Sequence, residues 1–251
     1  MGNNQDEKFK INSNRITDRN INVFQYFKSH QMATSNSQLS SKDRNIITIS
    51  SFTAQGKLTE LKDALNSGLD AGLTINEIKE MLVHSYAYCG FPRSIRGLQI
   101  FMEVVEERKT KGIKDNLGAE ISPIVNKKSK YERGKDILGK LSGTPQADKL
   151  SGYSAFAPAI DTFLKEHLFA DIFERDVLTY AQRELVTISV IIAIGDADPM
   201  LRSHLGISLN VGWSPEQLNE FITIITPTIS KEKSTAASMV LKEILKDRRS
   251  K

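Results

Sequence analysis

The chain has 251 residues, enough for one large domain or two small ones, with 39% hydrophobic and 25% charged residues, the balance of a soluble globular protein. Its net charge of +4 comes from Lys and Arg interleaved with Asp and Glu, and the most basic run, NKKSKYERGK, carries no repeated aromatic or glycine-rich module, which argues against a nucleic-acid partner. One cysteine excludes an intrachain disulfide and any Cys-x-x-Cys redox or zinc site made within the chain.

Residues 1–38 are polar and Asn-rich, with no apolar secretory core and with Asp6 where a myristoylation motif needs Ser or Thr. They read as a loosely attached arm on a cytoplasmic protein, and no run of about 18 apolar residues suggests a membrane span. Residues 43–55 are mostly apolar, long enough for a buried helix, and stop at Gly56. The next helix ends in AGLT, a glycine stop followed by Thr74 as N-cap and Glu77 in the first turn. Ile78, Met81 and Leu82 then recur at helical spacing, up to the stretch HSYAYCGFPRSIRG, and a further helix runs from about Pro92 to Arg108. Residues 109–152, rich in Lys, Gly and Ser, form a crossover with one helix near 129–141. After it, PAIDTFLKEHLFADIFE reads as an amphipathic helix, 182–194 as a second apolar helix, and VGWS as a second glycine stop and cap.

These elements are a repeat. DRNIITISSFTAQG (43–56) aligns with QRELVTISVIIAIG (182–195), and residues 61–82 align with 201–222, placing Arg44 on Arg183 and Gly72 on Gly212. The chain is therefore expected to be all-α and built of two related helical units.

Several polar residues invite chemistry. His84 and Tyr88, four apart, share a helix face near its C-terminal end, where the helix dipole favours imidazolium and would raise the His84 pKa; a capping histidine is the plainer alternative. Cys89 sits at the same end, which disfavours thiolate and points to a structural thiol. Gly90 fits a left-handed helix stop and Pro92 the first turn of the next helix. Arg93 and Arg96 lie in that first turn and either grip a substrate carboxylate or are solvated. His204 stands beside an apolar stripe, and Glu184 begins an apolar helix; a buried carboxylate there could exchange a proton with His204. Arg44 and Arg183, retained in both copies, suggest a structural salt link. His30 and His167 are isolated, and the absence of any His-x3-His spacing argues against a metal site.

QRELVTIS, RSHLGISLNVGWSPEQL and EIKEMLVHSYAYCGFPRSIRGLQIF resemble the carboxymuconolactone decarboxylase family, within the all-α and usually oligomeric alkylhydroperoxidase D superfamily. The resemblance implies two tandem alkylhydroperoxidase D-like domains, at 39–108 and 153–251, with 1–38 as the arm and 109–152 as the linker. It also implies a cofactor-free site that acts on a small carboxylated metabolite in a homo-oligomer. Glu184 and His204 match the family pattern in the second repeat, where the first has Asn45 and Ala64. His84, Tyr88, Gly90 and Pro92 match it in the first repeat, where the second has Ile224, Thr228, Ser230 and Glu232. The losses are complementary, so a composite site is expected, with His204, Glu184 and His84 as catalytic groups and Tyr88, Arg93 and Arg96 binding substrate. The implied reaction is decarboxylation or isomerisation of a small lactone or carboxylic acid. The alternative is a non-catalytic protein that binds a small acid or serves in assembly. The superfamily's thiol peroxidase chemistry is disfavoured, because its two cysteine positions hold Ala197 and Met200.

Overall fold

A computed structural model describes residues 39–249, which hold helices and no strand; the polar segment 1–38, with His30, lies outside them. The first repeat is α1 (Ser41–Gln55), α2 (Leu58–Asp70) and α3 (Ile75–Thr110). The crossover carries α4 (Lys130–Ser142). Two short helices, α5 (Gly152–Phe156) and α6 (Pro158–Thr162), lead into a π-helix over Phe163–Phe173. The second repeat continues with α7 (Tyr180–Ile194), α8 (Asp198–Asn210), α9 (Pro215–Ile225) and α10 (Lys231–Arg249).

Helix starts follow a shared rule. Ser40, Thr74, Thr179 and Ser214 cap α1, α3, α7 and α9, each accepting from the backbone N–H three residues on and each completed by a reciprocal acidic or amide side chain. The caps stand at matching places in the two repeats, so the local signals that start the helices were duplicated with them.

Helix α3 is two arms joined at Gly90. Its φ of 80° and ψ of 160° differ from the expected left-handed helix stop and lie in a region open essentially to glycine alone. The chain reverses there: Ser94 Oγ donates to the Leu82 carbonyl at 2.7 Å, binding the second arm to the first. The expected amphipathic helix at 158–174 is instead α6 followed by the π-helix. Its widened turn lies against α4, where a Cβ on Gly134 would come 1.7 Å from the Lys165 carbonyl oxygen, so only glycine permits that approach. The Lys165 ammonium is buried but satisfied, donating to Asp161 and to the Tyr131 hydroxyl at 2.8 Å each.

The largest contact between the repeats is α1 on α7. One hydrophobic cluster runs through both, with Ile46, Ile49 and Leu65 from the first and Leu185, Ile188 and Phe221 from the second. A smaller cluster joins Leu141 of α4, Phe169 and Phe173 of the π-helix, and Ile207 of α8.

The repeats are also tied by two reciprocal ion pairs. Arg183 of α7 reaches Glu80 of α3 at 2.7 Å, and Arg44 of α1 pairs with Glu220 of α9. Glu80 and Glu220 occupy aligned positions, as do Arg44 and Arg183, so each repeat sends its arginine to the other's glutamate. The salt link expected of these arginines is therefore present and crosses the repeat boundary. Among the described residues no helix is long and apolar enough to cross a membrane.

Candidate active site

Beside the Arg183–Glu80 pair, residues from both repeats converge. The first arm of α3 supplies Glu80, His84 and Tyr88, one helical turn apart; α7 supplies Arg183, Glu184 and Thr187; α8 supplies His204. His204 Nδ1 stands 2.9 Å from Glu184 Oε2, the Glu184 side chain being fully buried and that of His204 12% exposed. The Tyr88 ring lies between the histidines, its centroid 5.5 Å from His84 and 5.6 Å, edge-on, from His204.

The second carboxylate oxygen of Glu184 and the Tyr88 hydroxyl are both buried without a hydrogen-bond partner. Such orphaned groups are costly in a folded core. Here two of them neighbour the one partly exposed imidazole, whose Nε2 makes no bond among the described residues. Burial pushes the Tyr88 phenol far above its ordinary range, the Glu184 carboxylate adds to this, and the Thr187 hydroxyl acts weakly the other way. Tyr88 thus remains a donor at any working pH.

His84 departs from expectation. It is fully buried, its Nε2 lies 2.8 Å from Thr187 Oγ1, and its Nδ1 lies 3.2 Å from Arg183 Nη1, while Phe173 closes it edge-on at 5.0 Å. Burial, with the Arg183 charge and then His204 adding to it, holds its pKa well below the ordinary value of 6.5, the reverse of the rise expected from the helix end. Desolvation and a cation in contact outweigh a helix dipole.

This has a consequence for stability. Below about pH 6.5 the unfolded chain binds a proton on this residue that the folded chain does not, so stability falls as pH drops, by up to about 1.4 kcal/mol per pH unit. His84→Gln should flatten that dependence between pH 6.5 and 5, as read from urea midpoints at several pH values; an unchanged slope would contradict the neutral, buried assignment.

The structure does not bring Arg93 or Arg96 to this cluster. Both are exposed: Arg96 bonds to Gln99 at 2.6 Å, and the Arg93 guanidinium packs over Gly56. Cys89 donates to the Ser85 carbonyl, and burial pushes its thiol up to about 11, as suits a structural residue. One turn before His204 on α8, Leu201 lines a cleft of about 220 Å³ with Ala197, just ahead of that helix, and with Asp196, Glu232 and Lys233.

Glu80, Arg175, Thr187 and Phe173 also belong to this region, and no family motif in the sequence marks them. Arg175 doubles the grip on Glu80, with Nε 2.8 Å from Oε1 and Nη2 2.8 Å from Oε2. Retention of the acid at 80 and 220, and of the hydroxyl at 48 and 187, was visible in the repeat alignment.

The positions aligned with the cluster in the other halves have lost its chemistry. Ala64 and Ile224, where His204 and His84 would align, are buried in the core. Thr48 and Thr228 turn their hydroxyls onto carbonyls of their own segments.

The carboxymuconolactone decarboxylase family model matches residues 22–103 and 158–243, most of the chain and in two copies. The chain belongs to the carboxymuconolactone decarboxylase family. It is a tandem, two-domain member. A 4-carboxymuconolactone decarboxylase of Acinetobacter baylyi is 27% identical over 124 residues, which cover 49% of this chain and 92% of that protein. In this tandem member, residues matching the family pattern meet across the repeats of one chain.

Proposed function

We propose that the protein catalyses a cofactor-free decarboxylation or isomerisation of a small carboxylated lactone or related acid, at the cluster of Glu184, His204 and Tyr88. The observation that carries this reading is the 2.9 Å Glu184–His204 pair set beside the two unpartnered polar atoms. A carboxylate on Nδ1 fixes the proton there and leaves Nε2 as the basic nitrogen, and it stabilises the imidazolium once Nε2 takes a proton. When carbon dioxide leaves, the electrons of the broken C–C bond pass into an enolate, and protonation at carbon completes the reaction. His204 is placed to deliver that proton from Nε2, and the Tyr88 hydroxyl to donate to the enolate oxygen. His84, with both ring nitrogens engaged, supports this site from behind.

The test uses the similarity to the Acinetobacter enzyme: 4-carboxymuconolactone is incubated with the full chain, with carbon dioxide release and ring protons followed by NMR. Turnover lost in His204→Ala is the expected result. Saturable binding without any turnover would instead support the alternative, a protein that binds small acids without transforming them.

A further inference from the structure

The Thr187 hydroxyl is a group that the family pattern does not single out. An arginine guanidinium can only donate hydrogen bonds, so Arg183 Nη1 at 3.2 Å makes His84 Nδ1 an acceptor and puts the ring proton on Nε2. That proton then points at Thr187 Oγ1, 2.8 Å away, and Thr187 accepts it. Arg183 is held in turn by Glu80 at 2.7 Å and by the Arg175 carbonyl at 2.6 Å. The string therefore has one polarity, from Arg183 through His84 to Thr187.

Its far end differs between the repeats. Thr48, the aligned residue, spends its hydroxyl on the Arg44 and Asn45 carbonyls. Among the described residues Thr187 makes no bond to its own helix; its oxygen meets His84, and its hydroxyl also acts on that of Tyr88. With its oxygen engaged as an acceptor, its hydrogen is left to the Tyr88 side of the cluster. Glu184 precedes it by one turn, and the Tyr88 hydroxyl is a near neighbour.

We infer that Thr187 is a second hydroxyl donor to the developing oxyanion, beside Tyr88, and that Glu80, Arg183 and His84 are positioning residues that aim it by fixing His84 as the Nε2–H tautomer. This rests on the proposed function and sharpens it. The group received there must be an acceptor oxygen, a carbonyl that becomes an enolate, and not a hydroxyl or ammonium donor.

Two measurements on the full chain test the inference separately. The first needs no substrate: the nitrogen NMR spectrum of protein labelled with 15N in its imidazole rings should place the His84 proton on Nε2, without titration between pH 5 and 8. A proton on Nδ1, or a ring that titrates in that range, overturns the string whatever the protein's reaction. The second uses 4-carboxymuconolactone. Thr187→Val should lower kcat on the order of 100-fold with KM within about twofold, and Thr187→Ser should restore most of the loss. Equal loss in both variants, or a change in KM alone, overturns the donor role. If wild type binds the lactone without turnover, the proposed reaction fails. The donor is then read from the infrared carbonyl stretch of the bound lactone: a downshift abolished by Thr187→Val upholds it, and an unaltered stretch refutes it.

Discussion

Glu80→Ala is expected to destabilise the fold by about 3–5 kcal/mol, the largest stability effect of any single polar substitution we foresee. Glu80 is buried and receives both Arg175 and Arg183, and the Arg183 side chain has no exposed surface at all. Without the carboxylate, a guanidinium stays in the core with its Nε already unpaired and its main counter-charge gone. Burial alone would raise the Glu80 pKa, but the two arginines outweigh it and hold it below the ordinary value of 4.5. A carboxyl depressed in the folded state contributes stability above its unfolded pKa and loses it as pH falls through the folded one. Wild type should therefore weaken further below about pH 4.5, and Glu80→Ala should lack that acid-side component. Chemical denaturation at pH 7 and pH 4 checks both statements. A variant at Glu220, whose pair with Arg44 is part-exposed, should lose less.

The second large effect concerns rate. On the proposed reaction, His204→Ala is expected to lower kcat for 4-carboxymuconolactone by about 10²–10⁴, the range over which a positioned acid–base group acts. Glu184→Gln should fall within the same range, because an amide still accepts from Nδ1 but cannot stabilise the imidazolium. His204 is part-exposed, so its removal should leave the helical content unchanged by circular dichroism. A variant that folds and keeps wild-type turnover would remove His204 from the mechanism.

Much of this was legible in the chain. Caps and glycine stops marked helix starts and ends because they act locally, and the alignment of 43–56 with 182–195 announced the tandem arrangement. The complementary losses at 45, 64, 224 and 228 foretold that the retained groups come from different repeats, and the structure places them together. What escaped was set by tertiary context. The His84 charge state followed from Arg183 and Phe173, residues about 90 to 100 positions away. The π-helix arose where α4 approaches through Gly134, which no hydrophobic period encodes. Arg93 and Arg96 sit at a helix start, a place suited to anions, yet the reversal at Gly90 leaves both exposed.

Ala64 and Ile224, packed where their aligned partners are histidines, imply a division of labour between the chain's two quasi-equivalent centres. Buried polar groups without partners are expensive, and the Glu184 end carries them on Glu184, Tyr88 and Arg183. Its counterpart has exchanged histidine positions for apolar packing and so supports the shared core. Stoichiometry follows: a ligand seated on Glu184 and His204 would saturate at one per chain, not one per repeat.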